Sequence, residues 1–148
     1  MPHATGFRPL TLLLMLSIGT TLGCNRPPQP TYPAKGVVQW SDGQPATELT
    51  QGRLELQVIE GPTIRVSPHA LLQDDATFVL QTYKPADGAP AGKYRAVIIP
   101  WAPPVDGPTA TPPLLDSRWQ SFAESPMQVT IEPKPNELVL MVDRAKRR

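Results

Sequence analysis

The sequence predicts an all-β protein, an antiparallel β-sandwich of about seven strands, and three observations carry that prediction. Twenty of the 148 residues are proline, roughly 14% against an average usage of about 5%. Each proline removes a backbone donor and breaks a helix interior, which argues against a helical bundle. Several short segments alternate apolar and polar side chains, the period of a strand with one buried face. Asp-Gly and proline-bearing turns separate these segments at the spacing of an antiparallel sandwich. No βαβ alternation, internal repeat or heptad is present, and the length suits one domain with short extensions.

Residues 1–23 are set apart as a leader. Residues 10–22, LTLLLMLSIGTTL, carry no charge. A helix of that length rises about 20 Å, short of the roughly 30 Å of a bilayer core, so it fits a secretory signal and not a span. The run ends at Gly23-Cys24. This resembles the bacterial lipoprotein signal, in which a small residue precedes a cysteine that is lipidated and becomes the new N-terminus. The alternative is a plain secretory leader with an incidental cysteine. It would leave the chain's single cysteine as a free thiol in an oxidising compartment, which disfavours it. Lipidation of Cys24, giving palmitate-type acyl attachment to a membrane, is the expectation. The location that follows is the cell envelope, facing the periplasm or the exterior. Residues 24–34 read as a proline-rich tether, extended at about 3.1 Å per residue.

The body, 35–143, is then read as strands and turns. Residues 35–40 (KGVVQW) run into an Asp42-Gly43 turn. Residues 53–59 set Leu54, Leu56 and Val58 against Arg53, Glu55 and Gln57. Residues 63–66 read as a short strand between Gly61-Pro62 and Ser67-Pro68, and 70–73 as a weak edge. Residues 77–83 place Phe78, Leu80 and Thr82 on one face, and 84–92 is a loop. Residues 93–99 are apolar on both faces, as a central strand would be. The prolines of 100–113 exclude a sheet interior. A short helical turn is expected near 118–122, and two alternating strands follow, at 127–132 and 137–142. Residues 144–148 are a basic tail, whose roles are a solvated terminus or contact with anionic lipid or cell-wall polymer.

Charge narrows the partners. Removing 1–23 deletes Arg8 and no acid, which leaves 13 basic and 13 acidic side chains. Residues 27–143 hold 8 bases against 13 acids, so the body is acidic and no nucleic-acid groove is expected.

Three stretches, KGVVQWSDGQPA, DDATFVLQTYKPADGAPAGKYRAVIIP and SPMQVTIEPKPNELVLMV, resemble the small lipoproteins of planctomycete-type bacteria that carry a carboxypeptidase regulatory-like domain. The resemblance covers about residues 33–143 and implies a transthyretin (prealbumin)-like sandwich acting as a non-enzymatic module. Ala76 and Ala86 stand where that pattern carries glycine, Gln44 where it carries lysine, and Pro135 where glycine is usual. The hydroxyisourate hydrolases built on the same scaffold need several histidines and a C-terminal Tyr-Arg-Gly-Ser, which this chain lacks.

A chemical audit finds few candidates. His69, the one histidine after the leader, would be the base in the alternative of a small hydrolase; Ser67, Ser121 and Ser125 sit in no nucleophile elbow. Asp74-Asp75 has no calcium-loop spacing and reads as a turn. No metal or other cofactor is expected. Among the aromatics, Trp40 and Tyr94 read as core, and Trp101 and Trp119 as candidate binding residues for polysaccharide or an envelope protein, with core packing or loop anchoring as the other role for each. Tyr83 and Asp87 are candidates beside the 84–92 loop, since loops at sandwich ends commonly bind partners. The functional expectation is a lipid-anchored, non-enzymatic structural or binding module, with carbohydrate- or protein-binding adhesion as its alternative.

Overall fold

The computed structural model describes residues 28–102 and 114–146. The leader, residues 24–27 of the tether (Cys24 among them), residues 103–113 and the last two residues lie outside them. Nine strands form among the described residues: β1 (Thr31–Tyr32), β2 (Ala34–Trp40), β3 (Arg53–Glu60), β4 (His69–Leu71), β5 (Thr77–Val79), β6 (Ala89–Pro90), β7 (Gly92–Ile99), β8 (Gln128–Ile131) and β9 (Asn136–Val142). The described residues hold no α-helix, only 3-10 turns at Thr47–Leu49 and Ser117–Gln120.

Two curled sheets face each other, one ordered β5-β2-β9 and the other β4-β3-β7-β8, with β1 and β6 as a separate pair. The expected sandwich is therefore present. Its inner face is the one the alternation marks: Val38, Trp40, Phe78, Leu80, Leu140 and Val142 from one sheet meet Leu54, Leu56, Tyr94, Ala96, Ile98, Val129 and Ile131 from the other. Each large apolar side chain so buried contributes about 1.5–3 kcal/mol. As its two apolar faces predict, β7 lies between β3 and β8, and Val97 on its second face is also buried.

One side of the sandwich is stitched by paired backbone bonds between His69 and Gln81, each 2.9 Å. Residues 114–127 cross the other side. Leu115 bridges Arg144, the Arg95 guanidinium donates to the Phe122 carbonyl at 2.9 Å, and the Ser125 hydroxyl donates to the Ala96 carbonyl at 2.5 Å. The expected helical turn sits in this crossing, opened by Asp116, whose carboxylate accepts from the Arg118 N–H at 3.1 Å.

Four expectations are corrected. Residues 63–66 form no strand: flanking prolines 62 and 68 remove donors, and Gly61 at φ 148° turns the chain out of the ladder. β1 and β6 are strands in stretches read as tether and loop, so pairing begins at Thr31. Arg144, read as the first residue of the tail, is bridged into the fold. Finally, β2 and β9 pair in parallel, from Ala34↔Asn136 to Trp40↔Val142, among otherwise antiparallel neighbours.

That parallel pair gives the body two poles about 20 Å apart, the length of a seven-residue strand. The chain enters at the first, where the Asn136 N–H donates to the Pro33 carbonyl at 2.8 Å. It leaves at the second, beside Trp40 and Val142. The 84–88 turn packs at the first pole. Gly88 has φ +82°, and a Cβ there would overlap the Tyr32 carbonyl, so only glycine lets β1 lie this close.

Candidate functional site

The candidate residues do not gather in one place. Tyr83 and Asp87 lie at the pole where the chain enters. Asp87 turns both carboxylate oxygens onto its own loop, accepting from the backbone N–H groups of Thr82 at 2.7 Å, Tyr83 at 3.0 Å and Lys84 at 3.1 Å. The Thr82 hydroxyl donates to the Gly88 carbonyl at 2.7 Å, and Ala86 takes φ 58°. These bonds hold the turn that delivers β6 to β1. The polar groups expected to face a partner are spent on the loop itself. Beneath it the Tyr94 hydroxyl donates to the Pro90 carbonyl at 2.7 Å. Burial pushes that phenol up to about 12, and Tyr83 adds a smaller push in the same direction.

Trp119 is no surface platform. It is buried, its indole N–H has no partner, and the Arg118 guanidinium lies 4.9 Å from its ring centroid. Trp40 is buried at the strand end, as expected. Its Nε1 donates to Glu48 at 2.9 Å, the Arg144 guanidinium stacks 4.1 Å from its ring, and Arg144 pairs with Glu48 at 2.7 Å. The Trp40 bond, followed by Arg144, holds the Glu48 carboxyl below its ordinary value.

His69 has both ring nitrogens engaged. Nδ1 lies 3.1 Å from the Ser67 carbonyl, so it carries the proton and donates, and Nε2 accepts from the Gln81 amide at 3.0 Å. Asp75 closes the expected turn, accepting from the Thr77 N–H at 3.0 Å and hydroxyl at 2.6 Å. Those two bonds hold its carboxyl below the usual range, the hydroxyl contributing most. Among the described residues there is no group of three or more metal-ligating His, Cys, Asp or Glu side chains. No helix among them is long and apolar enough to cross a membrane.

The remaining candidate, Trp101, lies at the second pole with 53% of its surface exposed. It lines a shallow cleft of about 470 Å³ with Thr50, Gln51, Leu71, Leu72, Gln73 and Asp74. Three separate segments build it. Trp101 follows β7, whose Ile99 pairs with Arg53. Gln51, held left-handed at φ 61°, donates its N–H to the Leu72 carbonyl at 2.9 Å. The Thr50 hydroxyl donates to Asp74 at 2.8 Å, which fixes the 73–76 turn beside them. Leu71 is 60% exposed and forms an apolar shoulder. Gln51, Leu71 and Gln73 are not legible as site residues, because no spacing joins segments brought together only by the sheet.

No family model matches the chain, and no curated protein matches it. A solved structure, a DUF3823 family protein from Parabacteroides merdae, aligns with 78% of this chain at 18% identity and a TM-score of 0.43. The alignment covers 47% of that protein. It is a distant structural neighbour.

Proposed function

We propose that this chain is a lipid-anchored protein of the cell envelope, a non-enzymatic binding module held to a membrane through acylated Cys24. In this reading it is a small lipoprotein of the carboxypeptidase regulatory-like kind, with a transthyretin-like body. The observation that carries the proposal is polarity. The segment joining the body to Cys24 enters at one pole, and the exposed Trp101 cleft lies at the other. An anchored body then presents that cleft away from its own membrane, towards envelope polymers or proteins.

Two further observations support it. Both ring nitrogens of His69 are engaged within the fold, which counts against His69 as the base of a small hydrolase. Arg144 is occupied by Glu48 and Trp40 at the pole away from the tether, so its charge is not turned to the anchoring membrane. Fractionation of cells expressing the full-length chain tests the proposal. The wild-type protein is expected in the membrane fraction, released by detergent and not by salt, and Cys24→Ala in the soluble fraction. A wild-type protein found in the soluble fraction would overturn the reading.

A further inference from the structure

We infer that the Trp101 cleft binds an uncharged saccharide chain, with the ring face of a sugar laid on the indole. This rests on the reading of the chain as a binding module and adds the chemical class of its ligand.

The argument is one of complementarity. A pyranose has an apolar face of C–H groups and a rim of hydroxyls. The cleft has an exposed indole with an apolar shoulder at Leu71, rimmed by the Gln51 and Gln73 amides, the Thr50 hydroxyl and the Asp74 carboxylate. Ring stacking is supplied by the first set and donor–acceptor pairs by the second.

The alternatives fit less well. Among the described residues no lysine or arginine lines the cleft, and the one charged group there is a carboxylate, so an anionic polymer finds no counter-charge and some repulsion. An extended peptide would need free backbone groups for strand addition. Here the Leu72 N–H donates to the Gly52 carbonyl, the Leu72 carbonyl accepts from Gln51, and the Gln73 N–H donates to the Thr77 carbonyl, each at 2.9 Å. Leu71, on edge strand β4, is the cleft residue whose backbone faces outward, its carbonyl accepting from the Gln73 side-chain amide at 3.4 Å. One residue is too short an edge for strand addition, so recognition falls mainly to side chains.

The three tryptophans make the test selective. Trp40 is 1% exposed and Trp119 8%, so a ligand-induced change in emission or acrylamide quenching reports Trp101. The acylated full-length protein in detergent is titrated with neutral β-linked hexose and N-acetylhexosamine oligomers, uronic-acid oligomers and a proline-rich peptide. The expected result is saturable protection of one tryptophan by a neutral oligomer only. Trp101→Ala should weaken binding, read by calorimetry, about tenfold or more, the effect of losing about 1.4 kcal/mol. Gln73→Ala should weaken it a few-fold, as loss of one neutral hydrogen bond does.

Binding of a neutral oligomer that survives Trp101→Ala would place the site elsewhere and overturn the inference while sparing the binding-module reading. Binding confined to the uronic-acid or peptide arm, or absent from every arm, would overturn the ligand class. Membrane attachment is read independently by the Cys24→Ala fractionation.

Discussion

Replacing Asp87 by alanine separates a residue that faces a partner from one that holds the fold. The carboxylate accepts three backbone N–H groups. Hydrogen bonds to a charged acceptor contribute about 1.5–3 kcal/mol when their loss leaves a buried donor unpaired. Thr82 is 5% exposed, so its N–H meets that condition. Tyr83 and Lys84 lie nearer solvent, where water replaces most of what is lost, and each adds a few tenths. The expected destabilisation is about 2–3 kcal/mol, or a fall in Tm of roughly 10 °C for a body of this size. Urea denaturation measures the free energy, and hydrogen exchange locates it. The amides of Thr82, Tyr83 and Lys84 should lose protection, and that of Gln51 at the other pole should keep it. Asp87→Asn, with one acceptor oxygen left, should lose about half as much. A loss under about 0.5 kcal/mol for Asp87→Ala, or one spread evenly over both poles, would refute the reasoning.

Other outcomes follow from the same geometry. Glu48 has a depressed folded pKa, so the stability it contributes is full above the unfolded carboxyl value of 4.5 and is lost as pH falls from there through the folded value. Glu48→Gln should flatten that part of a pH–stability curve, and salt should weaken the wild-type effect because the pair is partly exposed. Gly88→Ala combines a left-handed φ with overlap on the Tyr32 carbonyl and should cost about 2 kcal/mol or more. Ala86→Gly, at φ 58° on an exposed residue, should gain about 0.5–1 kcal/mol in chemical denaturation. Trp119→Phe removes a buried N–H that has no partner and should change stability by less than about 1 kcal/mol. Trp119→Ala should lose about 3–5.

Much of this fold was legible because its longer strands bury one face. Leu54, Leu56, Phe78, Leu80, Val129, Ile131, Leu140 and Val142 all fall where the alternation puts them. β1 and β6 were not legible, because two residues carry no period. Residues 63–66 have strand-like composition, yet prolines on both sides deny them a ladder. The parallel pairing of β2 with β9 is invisible to periodicity, which reports a buried face and not a strand's neighbour. That pairing sets the two poles, so it also decides which loops share a surface. Trp101 was legible as exposed because it follows a strand and sits among prolines. For Trp119 the sequence left core packing and surface binding both open, because its cover comes from the crossing of 114–127 between distant strands. Alanine at 76 and 86, where the resembled pattern has glycine, falls on two of the three left-handed non-glycine positions among the described residues. Those departures from the pattern thus mark the turns that the backbone demands.

The account depends most on sulfur chemistry at Cys24. Intact-mass spectrometry of the protein extracted by detergent from envelopes tests it directly. The predicted species begins at Cys24 and carries the added mass of a diacylglyceryl group, with or without a third acyl chain. A species that retains residues 1–23, or one that begins at Cys24 or later with no acyl mass, would contradict it.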